Sequence, residues 1–283
     1  MPASLPLTTG RRIALAIGTP LALALIILAG FSLVAAVGEG SYRVSLDLPA
    51  TQGKPVGLAL SSSDVTVGPA GGHDVLVRGV ARYALVRSRV TWQHTSSSQG
   101  TGLSVNARCR QITGDCSFSL NVGLPASHPA VISANSGNLT VHGLHSRLTL
   151  RAQSGDVQVA GLTGAVSITD DSGNVTGTGL AGSRLALRQH SGDITVTGLA
   201  SPEVSAVDQS GNVLLRFSKV PANVVVHNIS GDVELVLPPG ATAYRVQAAT
   251  SSGSTNVTVP TSLTSQHVIT VTNHSGNVAV VTG

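Results

Sequence analysis

Aromatic residues are almost missing from this chain: one Trp, three Tyr and three Phe, or 2 % of 283 residues. A globular enzyme of that length normally builds its core with more of them. Here the core must come from Val, Leu, Ile and Ala, and β-branched residues at this density suit a thin, regular β layer. Stacking platforms for bases are lacking too, so no nucleic-acid partner is expected. Charge is scarce, at 11 % Asp, Glu, Lys and Arg with a formal net charge of +4, while 42 % of residues are hydrophobic. That balance excludes a disordered chain, and the length admits one or two domains. Cysteine occurs only twice: Cys109 and Cys116 enclose the polar loop "RQITGD". An even count at hairpin spacing outside the cytoplasm reads as one small disulfide. A metal site there is disfavoured, because no second Cys pair exists and no His lies close in sequence.

Charge is also absent from residues 13–38, which read "IALAIGTPLALALIILAGFSLVAAVG". A bilayer core needs roughly 20 apolar residues in a helix. Arg11 and Arg12 precede the run and Glu39 follows it, so the positive-inside tendency puts the N-terminal tail in the cytoplasm and the rest outside. A cleaved signal peptide is the rival reading, and "VAAVGEG" offers small residues for cleavage. The run exceeds the roughly 7–15 residues of an ordinary signal h-region, which favours an uncleaved anchor. Either way the remainder is exported.

Glycine is plentiful, at 32 residues. Ser-Gly pairs begin at Ser136, Ser154, Ser172, Ser191, Ser210, Ser230, Ser252 and Ser275, spaced 18, 18, 19, 19, 20, 22 and 23 residues apart. A period near 20 indicates a solenoid or array. After each pair comes an alternating stretch, such as Leu139 and Val141, Val157 and Val159, Ile194 and Val196, Val233 and Leu235, or Val278 and Val280. Then comes Gly-Leu, at Gly143, Gly161, Gly179 and Gly198, and a second alternation: Leu148 and Leu150, Val166 and Ile168, Leu185 and Leu187, Val204 and Val207. Period-2 alternation is the mark of a strand with one buried face. One period is therefore strand, Gly corner, strand, Ser-Gly corner. Such a unit cannot bury its own apolar face, but stacked units share a core, with coils about 4.8 Å apart.

The residue after Ser-Gly alternates: Asn138, Asp156, Asn174, Asp193, Asn212, Asp232, then Ser254 and Asn277. Neighbouring carboxylates at about 5 Å would repel. An intervening Asn doubles the separation towards a Debye length, while both residues keep the turn chemistry. The expected structural column is Gly137 and Asn138, Gly155 and Asp156, Gly173 and Asn174, Gly192 and Asp193, Gly211 and Asn212, Gly231 and Asp232, Gly276 and Asn277. An antiparallel meander would use the same turn signals, but its matching corners would lie roughly 10 Å apart and the alternation would lose its purpose. The parallel stack is the favoured architecture.

The "SGDVQVAGL" and "SGDITVTGL" repeats behind an N-terminal anchor resemble the bacterial putative-adhesin family, over roughly residues 136–283, with a weaker echo at "SSSDVTVGPAGGHDVLVRG". The resemblance implies a repetitive β-solenoid domain of unknown function on a cell-envelope protein, with a surface interaction role. It brings no catalytic residues.

Upstream the pattern is less regular. Residues 39–60 read as a stalk or first strand, and residues 61–130 as an irregular β region holding the disulfide. No acid occurs in residues 75–110, which hold Arg78, Arg82, Arg87, Arg89 and Arg108, with Arg110 closing the stretch. Such a surface beside a membrane would meet anionic headgroups or wall polymers, or simply be solvated.

Chemistry-bearing residues do not converge. A nucleophile is singular and needs an oriented base, whereas the repeated Ser stands at eight corners. Asp156, Asp193 and Asp232 lack the calcium-binding nonapeptide pattern and are too far apart for one ion. Asp170 and Asp171 are adjacent at a corner and point to opposite faces. Alignment with Asp208 would bring carboxylates together as a glycosidase needs, but solvent-facing turn acids are the expected outcome. His142 and His145 are close without a carboxylate partner. Five Asn-x-Ser/Thr matches, such as "NVT" at Asn174, are by-products of the repeat composition.

The expected molecule is all-β: a parallel, β-helix-like solenoid ectodomain of about 18–23 residues per coil behind one N-terminal transmembrane helix. Residues 1–12 form a cytoplasmic tail, 13–38 the anchor, and 131–283 the repeat solenoid. The expected function is non-enzymatic and cofactor-free, a membrane-anchored adhesin-like binding or scaffold module for an envelope polymer, glycan or protein. The alternatives are a carbohydrate-active β-helix enzyme or an envelope-stress component. The chain stops after a strand at "SGNVAVVTG", so loops around Pro238, Pro239 and Pro260, or weak end-to-end self-association, are expected to cover that end.

Overall fold

Apolar residues at every second position dictate strands, and strands are what form. The computed structural model describes residues 39–50, 54–60, 63–84, 89–97, 100–108 and 116–283. The anchor expected at 13–38 lies outside them. The described residues hold 23 strands and no helix, so among them no helix is long and apolar enough to cross a membrane.

The regular coils each give one strand to each of two sheets. β8 (Ala130–Ala134) and β9 (Leu139–His142) make one coil, and β10 (Leu148–Ala152) and β11 (Val157–Ala160) the next. β12 (Val166–Asp170) with β13 (Val175–Thr178), β14 (Arg184–Gln189) with β15 (Ile194–Leu199), β16 (Glu203–Ser210) with β17 (Val213–Phe217), and β18 (Asn223–Ser230) with β19 (Val233–Leu237) continue the series. Odd-numbered strands of this series pair in parallel in sheet I, and even-numbered ones in sheet II, all in register except for a shift between Val196 and Leu199 where β15 meets β17. Identical pattern positions therefore stack. Leu139, Val157, Val175, Ile194, Val213 and Val233 form one buried column, and Leu148, Val166, Leu185, Val204 and Val224 form its counterpart across the core. Leu144, Leu162, Leu180 and Leu199 of the Gly-Leu corners fill the same core. One expectation fails in detail: Val204 is buried but Val207 is not, because Ala206 and Asp208 hold the inward positions of β16.

The order of coils in space departs from the order in sequence at both ends. Downstream come β20 (Arg245–Ser252), β21 (Thr255–Val257), β22 (Val268–Ser275) and β23 (Val278–Thr282). The last coil in sequence, β22 and β23, lies directly on β18 and β19, and the preceding one, β20 and β21, lies outside it. Hence the final strand is not the open end that was expected: β21 covers β23, and the exposed end belongs to β20 and β21.

Upstream, β1 (Glu39–Pro49), β2 (Val56–Leu60), β3 (Ser63–Ala70), β4 (Asp74–Ala84), β5 (Arg89–Ser97), β6 (Gly100–Arg108) and β7 (Ser117–Pro125) complete the molecule. β2 pairs in parallel with β8, and β3 with β9, so the sheets run without a break across residue 130. β6 and β7 form a coil outside β2 and β3. Antiparallel strands then end each sheet: β4 and β1 on sheet I, β5 on sheet II. Among the described residues, antiparallel pairing thus occurs only at this end. Cys109 falls outside the described residues, so its pairing with Cys116 stands as an expectation.

Candidate functional site

The Ser-Gly corners stack because glycine lets them. Gly192 adopts φ 120°, and a Cβ there would strike the carbonyl oxygen of Gly173 one coil away. Any side chain would both strain the backbone and separate the coils. The residue after each glycine is tied to the coil beside it. Asp156 N–H donates to Asn138 Oδ1 at 3.0 Å, Asn174 N–H to Asp156 Oδ1 at 2.9 Å, Asp193 N–H to Asn174 Oδ1 at 3.0 Å, and Asn212 N–H to Asp193 Oδ1 at 2.8 Å. Asp232 N–H donates to Asn212 Oδ1 at 2.9 Å, Asn277 N–H to Asp232 Oδ1 at 2.7 Å, and Ser254 N–H to Asn277 Oδ1 at 3.1 Å. Three of the Asn residues add a second donor: Nδ2 of Asn174, Asn212 and Asn277 lies 3.2 Å from Asp156, Asp193 and Asp232 Oδ1. The column thus separates carboxylates and also supplies them with amide donors.

Sequence reading missed its first rung. Asp64 in β3 accepts the N–H of Asn138 at 2.9 Å, although no Ser-Gly precedes it. The signal available was "SSSDVTV", where Asp64 takes the place of the repeat's Asx.

Behind these corners runs a second column, inside the core, that was also missed. Ala134, Ala152, Asp170, Gln189, Asp208, Asn228, Asn273 and Thr250 stand in register on sheet II. Gln189 Nε2 donates to Gly173 O, Asn228 Nδ2 to Gly211 O at 3.2 Å, Asn273 Nδ2 to Gly231 O at 2.9 Å, and Thr250 Oγ1 to Gly276 O at 2.9 Å. These side chains fasten the corner carbonyls to the core. Asp170 and Asp208 are 1 % exposed, so Asp170 is not the solvent-facing turn acid expected. Burial pushes each carboxyl up to about 6. The backbone N–H groups of Ser172 and Ser210 oppose that rise without cancelling it, and no well-formed hydrogen bond reaches either carboxylate. The signal lay in the parity: Val166, Ile168 and Asp170, or Val204, Ala206 and Asp208, share one face of a strand.

The two carboxyls point into the core and Gln189 stands between them. They form no open cleft. Asp171 is exposed, as its neighbour's opposite parity requires. His145 Nδ1 lies 2.8 Å from Thr163 Oγ1, and the His142 ring packs over Gly68. Among the described residues no three His, Cys, Asp or Glu side chains gather as metal ligands.

The outward faces differ from each other. On sheet II, Val131, Thr149, Ser167, Ala186, Ser205, Val225 and Thr270 stand in register, a flat column of small uncharged residues. Exposed Arg147 and Arg151 flank it at β10, and exposed Arg184 and Arg188 do so two strands further on at β14. Glu203 stands beside Arg184, and the two border a shallow groove of about 250 Å³ reaching Ser205 and Val225. On sheet I the matching column, Thr140, Gln158, Thr176, Thr195, Leu214 and Glu234, is less uniform.

The upstream cations are scattered rather than pooled. Arg78 pairs with Asp47 and donates to Leu46 O at 2.9 Å. Arg82 is exposed on sheet I and Arg89 on sheet II. Arg108 lies in β6, and Arg87 and Arg110 fall outside the described residues.

Comparison with known proteins decides the family. The model of the Toastrack DUF4097 domain matches residues 119–281, more than half of the chain. The chain belongs to the Toastrack family. No curated protein matches it in sequence. Solved structures similar to this Toastrack protein include a "putative adhesin" from Bacteroides fragilis NCTC 9343, with a TM-score of 0.45 and 13 % identity over 84 % of this chain and 97 % of that one. A "putative cell adhesion protein" from Clostridium sporogenes ATCC 15579 gives 0.32 and 10 % over 87 % and 100 %. A "putative lipid binding protein" from Parabacteroides distasonis ATCC 8503 gives 0.34 and 9 % over 86 % and 96 %. The Toastrack match covers the same repeats from which the family resemblance was read.

Proposed function

We propose that this Toastrack protein is a non-enzymatic, membrane-anchored binding module of a bacterial envelope, and that the outward face of sheet II takes an extended anionic polymer. The observation that carries the reading is the uninterrupted column from Val131 to Thr270, flanked by Arg147, Arg151, Arg184 and Arg188. A flat lane of small side chains lets a chain-like ligand lie close to the backbone. Guanidinium groups at its borders offer paired donors to carboxylate or phosphate. Successive coils repeat at about 4.8 Å, so a polymer can meet equivalent positions along the lane. Residues 1–12 serve as a cytoplasmic tail and 13–38 as the anchor, with all that follows outside the membrane. Absence of catalysis is favoured because Asp170 and Asp208 are sealed in the core rather than set across a cleft.

The test is binding of the full-length chain, held in lipid nanodiscs, to purified neutral and anionic envelope polymers across a salt series. Saturable binding to an anionic polymer that survives near 0.15 M salt, where the Debye length is about 8 Å, is the expected result. Equal, unsaturable binding to every polyanion that vanishes with salt would reduce the face to a non-specific basic surface.

A further inference from the structure

The end of the stack at β20 and β21 is unguarded. Exposed sheet edges usually carry lysines, prolines or bulges that prevent strand addition. β20 reads "RVQAATSS" and β21 "TNV", with Arg245 their single charge. Their inward positions remain uncovered: Val246 and Ala248 are only half-buried against the core, and Val257 is 37 % exposed. The segment between β21 and β22 buries Val259 but holds Leu263 out at 90 % exposure. Tyr244, Val246, Ala248, Val257, Thr261 and Leu263 border an open groove of about 320 Å³ at this end. The Tyr244 hydroxyl is buried there without a hydrogen-bond partner.

We propose that this end docks on the same end of a second copy about a two-fold axis, with Leu263 of each copy seated in the other's groove. Knob and hole lie side by side on one end, so a single two-fold operation fills both grooves and closes the pair. The groove has room for a leucine side chain, whose volume is on the order of 100 Å³. β20 meets its own mate in antiparallel fashion in this arrangement. Inward residues oppose inward ones, so Ala248 faces its own mate at the axis, Val246 faces Thr250 and Arg245 faces Ser251, and the one cation never opposes itself. Stacking on the far end of another copy is disfavoured, because the terminal strand of sheet I there, β1, carries Glu39, Arg43 and Asp47. The contact spans one coil, with total buried area on the order of 1,000 Å², the lower limit for a specific interface. The pair is therefore weak and concentration-dependent, and its two β1 strands lie at opposite ends.

Sedimentation velocity of the full-length chain in detergent, from roughly 1 to 200 µM to bracket an interface of this size, tests the assignment. The expected result is a monomer–dimer equilibrium that Leu263→Asp weakens at least tenfold and Leu263→Met preserves. Because Leu263 is 90 % exposed, the thermal midpoint should be the same in all three proteins at the lowest concentration, where each is a monomer. A monomer at the highest concentration, or a dimer indifferent to Leu263→Asp, overturns it.

Discussion

Asp232 Oδ1 accepts the backbone N–H of Asn277 at 2.7 Å, across 45 residues of sequence. This bond sets the final Ser-Gly corner on the corner of β19 and leaves Ser254 outermost. In sequence order the Asx series falters at Ser254. In space it alternates without fault from Asp64 through Asn138, Asp156, Asn174, Asp193, Asn212 and Asp232 to Asn277, and Ser254 closes it with its hydroxyl 2.8 Å from Asn277 Oδ1.

The alternation makes an electrostatic prediction. Asn174→Asp removes the amide donor to Asp156 and sets a carboxylate against those of Asp156 and Asp193. A loss of about 1 kcal/mol is expected from adjacent exposed like charges, read by urea unfolding. Because screening weakens repulsion between exposed charges, the loss should shrink in high salt. The reverse change, Asp193→Asn, should be neutral or mildly stabilising at low salt.

The corners make a steric one. Gly192→Ala must strain φ 120° and push against the Gly173 carbonyl, so a cost above about 2 kcal/mol is expected. Gly71→Ala, where a Cβ meets nothing within 4 Å, should stay within about 0.5 kcal/mol. Comparable thermal shifts for the two would contradict the stacking described.

Register is checked by adjacent leucines. Leu215 is fully buried in β17 and Leu214 faces outward. Leu215→Ala should cost about 2–5 kcal/mol and Leu214→Ala well under half of that. A reversed order would mean that β17 is slipped by one residue.

Burial of Asp208 carries a pH signature. Desolvation lifts its carboxyl from the ordinary 3.8 to about 6 in the folded protein. Between these limits the folded state holds the proton that the unfolded state has released. Stability from this group is therefore greatest below about pH 4 and falls as pH rises through 6. A rise of that size corresponds to about 3 kcal/mol as an upper bound. Asp208→Asn should stabilise the protein at pH 7, where Asn can donate to a corner carbonyl as Asn228 does. The gain should vanish near pH 4. A pH-independent difference in chemical-denaturation midpoints would refute the buried carboxyl.

Much of this architecture was legible because the repeat encodes it locally. Alternation named the inward residues, glycine spacing named the corners, and the Asx pattern pointed to parallel stacking. What escaped was set by pairing across distance. Nothing near Ser275 says that β22 inserts between β18 and β20, since all coils share one pattern and any order would fit. Irregular β4 and β5 gave no sign of turning antiparallel. Asp170 reads as a turn acid because polar residues next to a Ser-Gly corner normally face water, whereas here backbone carbonyls at the corner need a polar lining. Hydrophobicity alone points Val207 inward, but strand parity gives that place to Ala206.

The most direct measurement of the functional claim is the affinity of the full-length chain, in nanodiscs, for an anionic envelope polymer before and after replacing Arg147, Arg151, Arg184 and Arg188 with Gln. All four are exposed on the sheet II side, so folding should be unaffected. At least a tenfold loss of affinity and a shallower salt dependence are predicted, while Arg82→Gln on sheet I changes neither. Unchanged affinity in the fourfold variant would contradict polymer binding on this face.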